Sequence, residues 1–314
     1  MTNLKYHLPQ LSGDIFLTDG GVETTLIFLE GLELPYFAAF HLLRDEKGTE
    51  ALRSYYRGYA AIAREGRTGF ILESPTWRAS ADWGNKLGYT AEALAGANRK
   101  AIALLRELKA EFETRRSPMV ISGCVGPRGD GYDPGKVMSA DEAEAYHAQQ
   151  IGTFAETGVD LVTAITMTNT AEAIGVTRAA QAVGLPVVIS FTVETDGRLP
   201  TGENLKDAIG AVDGATGNGP TYFMINCAHP THFECVLDGG VWVERVRGIR
   251  ANASKCSHAE LDEAEILDDG NPVELAEQYR ELRRRFAHIT VLGGCCGTDH
   301  RHIEQICVSC MEAA

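Results

Sequence analysis

Eight short apolar runs recur along the chain, each separated from the next by a longer stretch with helical spacing. They cover residues 15–18, 69–73, 119–124, 161–165, 187–192, 222–226, 246–251 and 289–293, the seventh being weaker than the others. Most are continuously apolar instead of alternating, as parallel strands covered on both faces require. The segments between them carry helix-start chemistry. Ser139 and Glu142 have the spacing of a capping box, which satisfies two orphan backbone donors. Asn271-Pro272-Val273-Glu274 combines an N-cap, a proline at the first helical position and an acidic first turn. Residues 94–108 place apolar side chains at the helical period.

Strands alternating with helices predict a parallel α/β fold. A doubly wound open sheet has the same alternation, so periodicity alone leaves both architectures open; the strand count favours a closed (β/α)₈ barrel. Such barrels use 250 residues or more as one unit, and 314 residues fit one domain over positions 1–314. No linker, low-complexity tract or internal repeat divides the chain.

Charge narrows the partners. With 29 basic and 43 acidic residues the net charge is −14, which repels nucleic acid and anionic membranes. The acidic stretch 260–269 reads as a solvated loop or helix face. No run of 18 apolar residues is present, and the opening MTNLKYHLPQL lacks the apolar centre of a signal peptide. These features predict a cytoplasmic protein with small-molecule partners; they leave a homo-oligomer open. In that compartment cysteines stay reduced, and clustered ones point to metal or catalysis more than to a disulfide framework.

In either architecture, ligands gather where strands end and the following loops begin. Those positions hold Asp19-Gly20-Gly21, Glu73-Ser74-Pro75-Thr76-Trp77, Cys124, Asn226-Cys227 and Gly293-Gly294-Cys295-Cys296-Gly297. Four of the eight cysteines therefore fall at strand ends. Catalytic zinc usually has three protein ligands and one open position. Cys227, Cys295 and Cys296 can supply those three if the sixth and eighth strands lie one strand apart. Other readings stand beside this one: buried structural thiols without metal, a vicinal disulfide at 295–296, or a closed tetrad of Cys295, Cys296, Cys307 and Cys310. His229, two residues past Cys227, could add a nitrogen ligand but reads better as a loop histidine.

Taken together, Asp19-Gly20-Gly21, Asn226-Cys227 and Gly293-Gly294-Cys295-Cys296-Gly297-Thr298 resemble the homocysteine S-methyltransferase family, in the same order and at comparable separations. The resemblance spans nearly the whole chain. It implies a (β/α)₈ barrel, a zinc ion held by Cys227, Cys295 and Cys296, and transfer of a methyl group from a small cationic donor to a thiol, homocysteine in most relatives. The chemistry fits. Only a thiolate is a good sulfur nucleophile, and zinc removes the thiol proton. Three protein thiolates leave the site with excess negative charge, which keeps an acceptor sulfur nucleophilic and favours a sulfonium or quaternary ammonium donor such as S-methylmethionine, S-adenosylmethionine or betaine. No folate or cobalamin module is evident, so the donor is expected to be a free small molecule.

The candidate substrate residues are Asp19, Gly20, Gly21, Glu23, Glu73, Thr76, Trp77, Asn226, Gly293 and Gly294. Trp77, with Tyr36, Phe40 and Trp83, offers aromatic faces for a cationic donor, although packing at the barrel mouth explains each equally well. The chain also departs from the family pattern. Pro75 stands where relatives have Asn. Ile165 falls where many have the Glu that binds the ammonium of homocysteine, a loss worth about 1.5–3 kcal/mol. Asp19 remains as a carboxylate for that ammonium, and Glu23 and Glu73 are possible substitutes. Two further readings remain: a zinc- or thiol-binding barrel without catalysis, and a demethylase using another thiol. A dinucleotide-binding dehydrogenase is disfavoured, since no G-x-G-x-x-G follows the first strand.

Overall fold

A computed structural model describes residues 8–311. The first part of the opening segment used to argue against a signal peptide lies outside the described residues. Eight parallel strands close into a barrel in sequence order: β1 (Phe16–Leu17), β2 (Gly69–Glu73), β3 (Met119–Val125), β4 (Leu161–Met167), β5 (Val187–Thr192), β6 (Tyr222–Asn226), β7 (Val246–Ala251) and β8 (Val291–Gly294). Closure is visible at β1, where Leu17 pairs with Phe70 on one side and Leu292 on the other. The open doubly wound sheet is thereby excluded.

Outside the barrel run α1 (Glu46–Gly66), α2 (Ala91–Phe112), α3 (Ala140–Ala155), α4 (Thr170–Ala182), α5 (Leu205–Thr216), α6 (Pro230–Phe233), α7 (Pro272–Arg285) and α8 (His300–Met311). Their starts are built as the sequence predicts. Ser139 and Glu142 form the reciprocal capping box of α3, and Asn271 accepts from the backbone of Val273 and Glu274 at the start of α7. Residues 94–108 lie within α2. The acidic stretch is largely exposed, as expected for a solvated loop.

Two separate apolar clusters explain both the closure and the position of the site. The larger fills the layer between strands and helices. The smaller comprises Leu8, Phe16, Ile71, Val120, Leu161, Val188, Tyr222, Met224 and Val291, drawn chiefly from successive strands at one level of the barrel. Two residues further along the same strands, side chains become polar: Thr18, Glu73, Ser122, Thr163, Ser190 and Asn226, with Arg250 of β7 in register beside Asn226. Side chains on a strand alternate with a period of two, so these positions share the interior face of their strands. The barrel interior is therefore dry at its N-terminal end and hydrogen-bonded near its C-terminal mouth, with Ser122 and Thr163 hydroxyls 2.7 Å apart. This gradient points ligand chemistry to the mouth.

Candidate active site at the barrel mouth

Cys227 follows β6 directly and adopts a left-handed backbone (φ 51°), unusual for a non-glycine residue. Several groups hold it there. Its N–H bonds the carbonyl of Arg250 (3.2 Å), and its own carbonyl faces the Nε2 of His258 at 2.6 Å. Thr166, also left-handed (φ 65°), lies nearby with its hydroxyl 3.8 Å from the Cys227 sulfur. Asn226 fastens this arrangement from within the barrel. Its Oδ1 accepts from the Thr166 N–H (3.0 Å) and the Ser190 hydroxyl (2.6 Å), while its Nδ2 donates to Thr166 Oγ1 (2.8 Å). Asn226 therefore acts as a brace between three strands.

Cys295 and Cys296 follow β8 in a tight turn closed by Thr298, whose N–H and hydroxyl both bond the Cys295 carbonyl (3.1 and 2.7 Å). The turn is pressed against the loop after β1. A Cβ on Gly21 would sit 2.6 Å from the Cys295 carbonyl oxygen, and one on Gly294 would collide with the Thr298 hydroxyl. Glycine is the residue that permits this contact. The result brings three sulfurs together. Cys227 and Cys295 are in disulfide contact with Cα atoms 5.4 Å apart, the Cys227 and Cys296 sulfurs are 4.0 Å apart, and all three lie within 4.8 Å of one another. Among the described residues this is the single cluster of three such groups close enough to hold a metal. Three thiolates are the donor set that a catalytic zinc ion takes, and the cluster offers it once the Cys227–Cys295 contact is reduced.

The sulfurs border a cavity of about 160 Å³. Asp19, Gly20, Gly21, Glu23, Glu73 and Trp77 line it with the three cysteines. So do Arg250 and Tyr132, two residues the sequence reading passed over. Arg250 is buried; its Nη2 meets Asp19 Oδ1 at 2.7 Å and its Nε donates to the Gly294 carbonyl at 3.1 Å. Burial alone would lower its pKa, but Asp19 and Glu73 outweigh that and hold it charged. Burial raises the Asp19 carboxyl above its ordinary range, with Arg250 and Tyr55 opposing. Tyr132 stacks on His258 (centroids 3.9 Å apart) and directs its hydroxyl at the Cys296 sulfur, 3.4 Å away.

The homocysteine S-methyltransferase family model matches residues 16–310. The chain belongs to that family. Its barrel superposes on the homocysteine methyltransferase MmuM from Escherichia coli in three solved forms. The metallated form gives a TM-score of 0.73 at 19% identity, covering 94% of this chain and 96% of that one. The oxidised form gives 0.74 at 19% identity over 95% and 97%, and the apo form 0.67 at 17% over 94% and 96%. At these identities the superpositions establish the fold.

Set within this family, several expected residues take other places. Asp19 is not a free carboxylate: Arg250 holds one oxygen and the Tyr55 hydroxyl the other, at 3.1 Å. Thr76 is buried away from the cavity, its hydroxyl donating to the Cys124 carbonyl (2.8 Å). Gly293 and Gly294 do not line the cavity; they allow the approach of Thr18 and Thr298. Trp77 lines it, with Arg78 stacked 4.0 Å from its ring and its Nε1 bonded to the Ile165 carbonyl. Trp83 is covered by Arg78 and Lys86, Phe40 is in the core against Tyr89, and Tyr36 is half exposed; none of the three lines the cavity. Ile165 does line it and offers no charge. Cys307 and Cys310 lie on α8, with Cys307 packed against Gly66, so the closed tetrad is not formed. His229 caps α6 and is outside the sulfur cluster.

Proposed function

We propose that this chain is a zinc-dependent S-methyltransferase that moves a methyl group from a small cationic donor to a thiol, with homocysteine as acceptor. The observation that carries this reading is the convergence of Cys227, Cys295 and Cys296 on one wall of a cavity at the barrel mouth. In the reduced protein these three would be the zinc ligands. Zinc, when bound, lowers the pKa of an acceptor thiol so that it reacts as the thiolate.

The chain's own residues supply the rest. Asn226 and Thr298 fix the two ligand-bearing turns, so that little reorganisation is needed on binding. Tyr132 donates a hydrogen bond towards Cys296, moderating charge on that sulfur. Glu23, half-buried beside the cavity, adds a carboxylate whose pKa is pushed up to about 7 by burial. Together with Asp130 and Asp262 it biases the cavity lining towards a cationic donor. Methyl transfer from a sulfonium or quaternary ammonium donor to the acceptor sulfur is an in-line displacement, accelerated mainly by holding both reactants in one cavity. The whole 1–314 chain would act as one catalytic domain, with no nucleic acid or membrane partner, in the cytoplasm. No helix among the described residues is long and apolar enough to cross a membrane.

The test uses reduced, zinc-loaded protein with homocysteine and, separately, S-methylmethionine, S-adenosylmethionine or betaine, with methionine measured by mass spectrometry. Methionine formed with one of these donors and abolished in Cys296→Ser supports the proposal. Zinc uptake with no methyl transfer from any donor to homocysteine or another thiol would instead favour a non-catalytic zinc-binding barrel. Turnover with a different thiol alone would retain the chemistry and replace the acceptor.

A further inference from the structure

We infer that Glu73 and Arg250 together form the subsite for the amino-acid end of the acceptor, Glu73 taking the ammonium and Arg250 the carboxylate. The inference rests on the thiol methyltransferase reading and names what grips its substrate.

Both residues are deeply buried, with 5% exposure each, and both line the cavity that holds the sulfurs. Neither is satisfied. The two carboxylate oxygens of Glu73 have no hydrogen bond of normal geometry, the Ser122 and Thr163 hydroxyls being the nearest donors, and Nη1 of Arg250 has none either. The rest of Arg250 is fully engaged: Nε with the Gly294 carbonyl, Nη2 with Asp19 and, at 3.4 Å, with the Gly20 carbonyl. One edge of the guanidinium is left over. It forms only a loose ion pair with Glu73, because Nη1 and Glu73 Oε2 are 3.8 Å apart, beyond hydrogen-bond reach. Leaving a buried charged group short of hydrogen bonds is costly, and two opposite charges with hydrogen-bonding capacity left over beside a cavity match a zwitterionic ligand.

Other groups in the cavity fit this task less well. Asp19 has both oxygens occupied, Ile165 is apolar and Glu23 is less deeply buried than Glu73. Arg78 is pinned between the Trp77 and Trp83 rings, with its terminal nitrogens on Gly129 and Asp130. Arg250 is also tied to both halves of the sulfur cluster. Its carbonyl accepts from Cys227 and its side chain binds the residue preceding Cys295. A ligand gripped at Arg250 therefore has the sulfurs within reach of a short side chain. The acceptor class that follows is a small α-amino acid thiol. Opposite charges at 73 and 250 replace the single carboxylate that Ile165 lacks.

Binding, not turnover, tests this. Calorimetric titration of reduced, zinc-loaded protein would compare homocysteine with 4-mercaptobutyrate, which lacks the amine, and 3-aminopropane-1-thiol, which lacks the carboxylate. The expected result is homocysteine binding at least tenfold tighter than either. In Glu73→Gln the advantage over 4-mercaptobutyrate falls by about ten- to a hundredfold, while that over the aminothiol persists. Arg250→Gln gives the opposite pattern; if it fails to fold, the isosteric Glu73→Gln decides alone. Wild-type discrimination retained in Glu73→Gln would overturn the inference, as would a wild type that binds all three thiols equally. Absence of turnover with every donor would overturn methyl transfer instead and leave this binding comparison intact.

Discussion

Arg250 and Asp19, 231 positions apart in sequence, meet at 2.7 Å inside the closed barrel, where β7 and the end of β1 both reach the mouth. The pair neutralises a carboxylate that family resemblance would assign to substrate. It also ties the loop after β1 to the turn that carries Cys295, through the Gly20 and Gly294 carbonyls.

Breaking that pair from one side strands a buried charge. Asp19→Asn is expected to lower unfolding free energy by about 3–5 kcal/mol, and a double variant with Arg250→Met to recover part of the loss. Urea denaturation of wild type, Asp19→Asn, Arg250→Met and the double variant checks it. Full additivity of the two single effects would show that the residues are not coupled.

Glu73 gives a pH signature. Burial, opposed by Arg250, raises its pKa to about 7 from 4.5. The folded state then binds more protons than the unfolded state between those values, so this group's contribution to stability declines as pH rises from 4.5 to 7. The accumulated penalty is roughly 3 kcal/mol at most. Glu73→Gln should therefore raise Tm relative to wild type more at pH 8 than at pH 4.5. An equal shift at both pH values would contradict the assignment.

Asn226→Ala removes the brace that holds Thr166 in its left-handed conformation. It strands the Thr166 N–H and the Ser190 hydroxyl, each costing about 1–3 kcal/mol. Chemical denaturation should report that loss together with weaker zinc binding, by about ten- to a hundredfold, as is usual when support behind a metal ligand is removed. Unchanged metal affinity would reduce Asn226 to a purely structural role.

Gly21→Ala probes the contact between the β1 loop and the Cys295 turn. The added methyl would lie 2.6 Å from the Cys295 carbonyl, so one loop must move. Reduced zinc affinity with a retained fold, followed by competition with a chromogenic chelator, is the expected outcome. Wild-type affinity would mean that the contact relaxes without disturbing the sulfurs.

These variants also show how far sequence alone reaches. The eight apolar runs identified all eight strands, with β2, β5, β6 and β7 matching residue for residue. Continuous apolar runs are what strands covered on both faces must have, so that signal is strong. Strand ends were less legible: β1 is only Phe16–Leu17, and β4 extends to Met167. The turns of residues 22–44 were also missed, because short non-repetitive segments have no period to read. That Cys227, Cys295 and Cys296 come together was legible from their strand-end positions together with the family motifs. Arg250 was not, although an arginine inside a buried parallel strand was the available signal; its charge instead made β7 look weak. Thr166 and Tyr132 left no such trace. A left-handed threonine and a loop phenol reaching a sulfur depend on contacts between distant segments.

The most direct test of the account is zinc binding by fully reduced protein and its three cysteine variants. The account predicts one zinc per chain in the wild type, and a cobalt-substituted form with thiolate-to-metal charge-transfer absorption. Cys227→Ser, Cys295→Ser and Cys296→Ser should each bind metal far more weakly. Folded, reduced wild-type protein that takes up no zinc, or serine variants that bind it as tightly, would contradict it.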